Sequence, residues 1–318
     1  MTSFIKFMKY YNNYGFKLAL IKTKDKIFKT NEFSQCVYNK CKSADPREYP
    51  ELLKIIYYEK TGKILNLKNP KTFNEKIQWL KLYDNSPIKT VLTDKYLARN
   101  WIKEKIGEEY LVPLLGVYEN FNEIDFDVLP EKFVLKCNHG SGYNLIVTDK
   151  SKIDYNDARF EFDNWLKTNF AFLNGFELQY LNIHPRIIAE KYLETEDGVK
   201  DYRFYCFNGK PLQVWVDIYS GTPAHLRSIF DMNWKKLHFS CGWPDGEKQL
   251  ETKPKTFDEM KKLASVLSSD FTFVRVDFFE IKNKLYMGEM TFTPMGGFGE
   301  FQPPEWDYKM GCLLELPS

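Results

Sequence analysis

"FVRVDFFEIKNKLYMGEMTFTP", residues 273–294, sets two β-rich runs on either side of a Lys282-Asn283-Lys284 turn. Alternate side chains of a strand share a face, so Arg275 goes with Asp277 on the first run and Glu289 with Thr291 on the second. Which faces coincide depends on the turn. A three-residue loop, 282–284, sets Ile281 against Leu285, Asp277 against Glu289 and Arg275 against Thr291; a two-residue Lys-Asn turn sets Gly288 against Asp277 instead. In the first register two carboxylates face each other, which costs free energy unless a cation lies between them or one is protonated. Magnesium resolves that conflict, because it takes few protein carboxylates and completes its octahedron with water and substrate phosphates. An ion pair of Arg275 with Asp277 or Glu289 is the alternative that needs no ligand.

Working outward, "EKFVLKCN" (131–138), "NLIVTDK" (144–150), "RIIAEKYLE" (186–194) and "DYRFYCFNGKPLQVWVDIYS" (201–220) are further β-rich runs bounded by Gly, Asn or Asp. Asn208-Gly209 lies inside the last of them, and both positions accept the positive φ of a type I′ hairpin turn. Upstream, "REYPELLKIIYYEKTGK" (47–63) and "KTFNEKIQWLKLYD" (71–84) repeat apolar residues every three or four positions, and Thr72 with Glu75 has the spacing of a capping box. Helices first and antiparallel hairpins later predict an α+β fold. Neither GxGxxG nor GxxxxGK[ST] occurs, which excludes a Rossmann or P-loop reading at the motif level.

At 318 residues, 43% hydrophobic and 17% aromatic, the chain has ample material for a packed core. Apolar stretches such as Leu18 to Ile21 fall far short of the roughly 20 residues that span a bilayer, and no signal-peptide cleavage pattern follows, so a cytoplasmic protein is expected. Six cysteines without a CxxC pair point to free thiols, and His238 with Cys241 finds no second pair to make a structural zinc site. Charge is uneven. Residues 1–30 hold seven lysines against Asp25, whereas the whole chain has a net charge of only +2. Aromatic residues interleave with those lysines, so this segment either packs as a helix on the body or lies on an anionic membrane surface. No basic track continues from it, which argues against nucleic acid.

Three further stretches carry chemistry. In "FVLKCNHGSGYNLIV" (133–147), Lys136 interrupts an apolar strand and needs an anion, and the glycines of His139-Gly140-Ser141-Gly142 allow backbone N–H groups to converge on phosphate, unless the loop is a plain hairpin turn. Asp94-Lys95 opens a helix in "TDKYLARNWIKEKIG", and Asp201 shares a strand face with Arg203. The Asp125-Phe126-Asp127 triplet lies in a loop-like stretch and reads as structural.

In this order the motifs resemble the ATP-grasp superfamily, and most closely the TupA-like ATP-grasp proteins found among bacterial surface-polysaccharide genes. The resemblance covers roughly residues 50–318. "LNLKNPKTFNEKIQWLKLYD" (65–84), "LKCNHGSG" (135–142), "DYRFYCFNGKP" (201–211) and "RVDFFEI…GEMTFTP" (275–294) are its most specific stretches. It implies a basic, mainly helical region over 1–70 and an ATP-grasp domain over 71–318, with a nucleotide lid at about 110–190 and a metal-binding part at about 195–318. It implies that Lys95 and Lys136 reach phosphate, that His139, Gly140, Ser141 and Gly142 belong to the lid loop, and that Glu190, Lys191 and Leu193 form the hinge strand on adenine. Asp277 and Glu289 match the magnesium ligands, with Thr291 where the family's E-x-N pattern has asparagine; Arg275 matches the arginine that steadies the transferring group, and Arg203 that of a D-x-R strand. The glycine-rich α/β domain that often precedes such cores is missing.

The resemblance implies an ATP- and magnesium-dependent carboxylate-amine ligase working through an acylphosphate, on a sugar or uronic acid of a capsular or cell-surface polysaccharide and an amino acid, the glycan being lipid-linked at the inner membrane face. The aromatic segment 302–308, with Trp306, is a candidate sugar platform or core. A kinase that phosphorylates a glycan hydroxyl, a glycosyltransferase and a non-catalytic binding module are the rivals. Asp277→Asn or Glu289→Gln is expected to abolish ATP consumption and leave thermal stability unchanged or raised, by relieving repulsion.

Overall fold

The computed structural model describes residues 32–194, 199–246, 250 and 252–317. The basic segment 1–30 lies outside them. Among the described residues five α-helices come first: α1 (Glu32–Ser43), α2 (Tyr49–Thr61), α3 (Phe73–Tyr83), α4 (Pro87–Thr93) and α5 (Ala98–Ile106). The capping box at α3 is formed, with the Glu75 N–H donating to Thr72 Oγ1 at 3.2 Å and the Thr72 N–H to Glu75 Oε2 at 3.0 Å.

Four strands then make an antiparallel sheet, β1 (Leu114–Tyr118), β2 (Phe133–Cys137), β3 (Asn144–Val147) and β4 (Ile187–Lys191), in the order β1-β4-β2-β3. Helix α6 (Tyr155–Lys167) supplies Ala158 and Phe162 to a core with Phe133, Leu135 and Ile187 of the sheet. The second sheet is also antiparallel: β5 (Lys200–Phe207), β6 (Lys210–Ile218), β7 (Leu226–Asp231), β9 (Phe273–Ile281) and β10 (Lys284–Thr291) run in the order β10-β9-β5-β6-β7. The short strands β8 (Ser240–Cys241) and β11 (Phe301–Gln302) pair with each other. Asn208 and Gly209 turn β5 into β6 with φ of 46° and 78°, as the sequence predicts.

Strand alternation gives the five-stranded sheet two different faces. Phe204, Val214 and Val276 lie under α7 (Phe257–Ser268), in a core with Met260 and Ala264. On the other face Tyr205, Trp215 and Phe273 pack with Phe73 of α3 and Met310 of α8 (Glu305–Cys312). Gly311 is where α8 crosses the start of α3: a Cβ there would lie 2.1 Å from the Lys71 carbonyl oxygen. Farther along the same strands this second face turns from apolar to charged, with Arg203 on β5, Asp217 on β6, and Arg275 and Asp277 on β9.

The opening hairpin combines both registers that the sequence leaves open. Its turn is the two-residue one, with Lys282 and Asn283 at φ of 52° and 62°, and pairing runs from Lys284↔Ile281 to Met287↔Phe278. A bulge then shifts the register, so that Met290 faces Val276 and Thr291 faces Arg275. One inserted residue moves every later side chain to the opposite face, which is why the short turn does not part the two acidic groups. Gly288 makes room for the bulge, since a Cβ there would lie 3.1 Å from the Asp277 carbonyl oxygen.

Candidate active site

A cavity of about 280 Å³ opens between the two sheets. The four-stranded sheet and its loop contribute Lys136, Gly140, Ser141, Gly142, Asn144, Ile188 and Glu190 to its lining; the five-stranded sheet contributes Asp201, Arg203, Asp277 and Glu289. Lys95 and Arg99 enter from the turn after α4 and the start of α5.

Each group is held by a local device. Asp94 is buried, and its carboxylate accepts from the N–H groups of Tyr96 and Leu97 at 2.8 and 3.1 Å and from Asn138 Nδ2 at 2.9 Å. The Asp-Lys pair therefore shapes the turn before α5 instead of starting the helix, and it ties this turn to Asn138, just before the glycine loop. Lys95 Nζ donates to the Gly140 carbonyl at 2.5 Å and lies 3.9 Å from Glu289 Oε2, so it links the glycine loop to the hairpin. Burial lowers its pKa, opposed first by Glu289. Glu190 is bridged on both oxygens, by Lys136 Nζ at 2.7 Å and Arg99 Nη1 at 3.1 Å.

On the hairpin, Arg275 spans the two carboxylates. Its Nε and Nη2 reach Asp277 at 2.7 and 2.6 Å, and Nη2 reaches Glu289 Oε1 at 2.9 Å, where Thr291 Oγ1 also donates at 3.1 Å. The two acids feel different surroundings. Burial pushes Asp277 up to about 6 against the pull of Arg275 and Arg203. Glu289, whose side chain is 36% exposed to the cleft, is held at about 2: burial acts to raise it, but Lys95, Arg275 and Arg203 outweigh that. Because Arg275 already bridges the pair, the gain in stability expected on removing one carboxylate no longer follows; Asp277→Asn would take a two-point partner from a buried guanidinium.

The donor set fits magnesium. Asp277 and Glu289 offer hard oxygens at one end of a cavity with room for phosphate, and Glu289 Oε2 makes no hydrogen bond among the described residues. Thr291 touches Glu289 but is not among the lining residues. Among the described residues no three His, Cys, Asp or Glu side chains gather into a metal cluster.

Some residues singled out in the sequence stay outside this lining. His139 is buried against the Trp165 carbonyl, 2.9 Å from its Nε2, and serves the core of the four-stranded sheet. Lys191 is exposed, and Leu193 packs beside Val112, Ile281 and Tyr286. Trp306 stacks on Phe239 at 4.1 Å as part of a core, which removes it as a sugar platform. Asp125 caps its own turn through the Asp127 N–H at 3.0 Å. Arg99 is the residue that sequence reading missed, because its partner Glu190 comes from the distant strand β4.

The sequence profile of the family described as TupA-like ATPgrasp matches residues 75–315. The chain belongs to the TupA-like ATP-grasp family. Membership gives it the α+β ATP-grasp fold that the motifs imply. No curated protein matches the chain in sequence. Among solved structures, a D-alanine-D-alanine ligase from Helicobacter pylori is 15% identical, with a TM-score of 0.44, over 78% of this chain and 68% of that one. An L-amino acid ligase from Bacillus licheniformis is 13% identical, with a TM-score of 0.43, over 70% and 49%. The ATP-grasp ligase PsnB, solved with its minimal precursor, Mg and ADP, is 10% identical, with a TM-score of 0.35, over 68% and 58%. This chain thus spans about half to two thirds of the length of these neighbours, and at such similarity the reading of the site rests on its own residues. Among the described residues no helix is long and apolar enough to cross a membrane.

Proposed function

We propose that the protein joins a carboxylate to an amine at the expense of ATP, through an acylphosphate, in the cytoplasm. The observation that carries this reading is the cavity itself: Lys136 and a glycine loop from one sheet, with Lys95 from the turn before α5, face Asp277, Glu289 and Arg203 of the other across a single opening, and Arg275 bridges the two acids just outside the lining.

In this reading Ile188 and Glu190 line the adenine end, with Glu190, Lys191 and Leu193 as the hinge. Lys95, Lys136 and the backbone of Gly140–Gly142 hold phosphate oxygens. Asp277 and Glu289, with Thr291, would hold magnesium, which when bound neutralises phosphate charge and orients it for in-line displacement. A donor carboxylate oxygen attacks the γ-phosphorus and the bond to the ADP oxygen breaks; the amine nitrogen then attacks the acyl carbon, phosphate leaves with the C–O electrons, and the amine gives up a proton. Arg275 and Arg203 offset the negative charge that collects between donor and phosphate. No side-chain nucleophile is needed, and burial pushes the Cys137 thiol up to about 12, far from a thiolate.

For the substrates, the family context favours a uronic acid or amino sugar of a surface polysaccharide and an amino acid. Residues 1–30 would keep the enzyme near a lipid-linked glycan; deleting them should abolish sedimentation with anionic vesicles at low salt, and unchanged sedimentation would refute that part. The main test is hydroxylamine trapping. With MgATP, uronic acids or amino acids as donors and hydroxylamine as the amine, equal amounts of hydroxamate, ADP and phosphate are expected. ADP formed with phosphate retained on the sugar would make the enzyme a kinase instead.

A further inference from the structure

Arg203 sits at the boundary between the cavity and a second charged cluster that the mechanism above does not use. At the centre of that cluster is Asp217 on β6, fully buried at 0% exposure. Arg227 on β7 grips it with two hydrogen bonds, Nε to Oδ1 at 2.6 Å and Nη2 to Oδ2 at 2.8 Å, and spends Nη1 on the Cys241 carbonyl at 2.8 Å. Arg203 Nη1 meets Asp217 Oδ2 from the cavity side at 2.8 Å, and His225 Nε2 lies 3.4 Å from the same oxygen. A second hold on Arg203 comes from Asp201, which reaches Nη2 at 3.2 Å and is fixed by the Ser220 hydroxyl at 2.8 Å.

Both Arg203 terminal nitrogens are therefore tied from behind. Its Nε is buried with no hydrogen-bond partner among the described residues, and the nearest acid, Asp277, is 3.9 Å away, too far for a hydrogen bond. Leaving a buried guanidinium donor unpaired costs free energy that a structural ion pair would not incur. Arg203 and Asp277 lie side by side in the ladder, and both line the cavity. The two arginines of the cluster are balanced by Asp217 and Asp201. The Asp217 carboxyl is held below its usual range, because Arg227 and Arg203 outweigh the burial that acts to raise it.

We infer that Asp217 is a positioning residue for phosphoryl transfer: it holds Arg203 at the cavity wall beside Asp277, so that the guanidinium stands next to the anionic oxygens passing between nucleotide and donor. The inference rests on the reading of the cavity as the MgATP site. It separates the two arginines, Arg275 bridging the acidic pair and Arg203 lining the cavity from its own anchor on Asp217.

The test measures binding of MgADP alone and of MgADP with aluminium fluoride, a stand-in for the transferring phosphoryl group, by calorimetry. Wild type is expected to bind the second combination more tightly. Arg203→Ala and Asp217→Asn should each remove most of that enhancement, a loss of about tenfold or more, with MgADP affinity changed less than about twofold. The double variant should be no worse than Arg203→Ala, because the two act through one guanidinium. Should Asp217→Asn fail to fold with Arg227 left buried and unpaired, Asp217→Asn with Arg227→Met removes both charges of that pair and should show the same loss. Independent, additive losses, or an Asp217→Asn protein that keeps the enhancement, overturn the inference and leave the site reading intact. A wild type that does not bind MgADP overturns both.

Discussion

Lys81 and Lys89, on α3 and α4, and Lys95 and Lys136, around the cavity, are all withdrawn from bulk water, but on different terms. Lys81 is 1% exposed and Lys89 5%. Both are held at short range: Lys81 bonds the Asn174 carbonyl at 2.8 Å over the Phe298 ring, and Lys89 meets Asp84 at 2.5 Å. The cavity lysines keep side chains 22% and 32% exposed, and their partners, Glu289 and Glu190, are themselves lining residues shared with Arg275 and Arg99. A sealed lysine is part of the packing, whereas one that shares its anion at the wall of an opening can exchange it for phosphate.

Breaking the cavity set should give the largest effect. Lys136→Met is expected to lower kcat/KM for MgATP by about 10²–10³, measured by ADP release. Its cost in stability should stay below about 1 kcal/mol, since the pair is partly exposed and Glu190 keeps Arg99. Lys89→Met should do the reverse: Asp84 loses its partner, urea unfolding shows a loss of about 3 kcal/mol, and nucleotide affinity is unchanged. Arg99→Met falls between the two, because it frees Glu190 and the Val112 carbonyl at the cavity wall; KM for ATP should rise about tenfold, the equivalent of one lost charged hydrogen bond.

The smallest effect is a pH slope. Burial brings Lys81 down to about 7, with Glu177 opposing and Lys60 adding to the shift. The folded pKa lies below the unfolded one, so between about pH 7 and 10 the unfolded chain holds more protons and stability rises with pH. Lys81→Met should remove that rise, by at most about 1.4 kcal/mol per pH unit, in urea titrations of the two proteins run in parallel. Equal slopes would place Lys81 with the cavity lysines.

The comparison also marks what could be read from residues alone. Lys136 stood out because it interrupts an apolar strand before a glycine loop, and Asp277 and Glu289 because strand alternation with a plausible turn brings them together. The sealed lysines were invisible, since a helical lysine has the same local signature whether it faces water or a carbonyl supplied from residue 174. Arg99, His139 and Trp306 failed for the same reason: their partners Glu190, Trp165 and Phe239 lie 91, 26 and 67 positions away. The hairpin shows the opposite compensation, for its turn was legible as one of two kinds while the bulge at Gly288 that rescues the acidic face has no signal stronger than a glycine in a strand.

Magnesium-dependent nucleotide binding is the most direct measurement of whether the opening between the sheets is the MgATP site. Wild type should gain thermal stability with ATP only when magnesium is present, as expected for a ligand that binds the folded state. Asp277→Asn and Glu289→Gln should lose that magnesium-dependent gain while Lys89→Met keeps it. An equal gain in all four proteins would contradict the account.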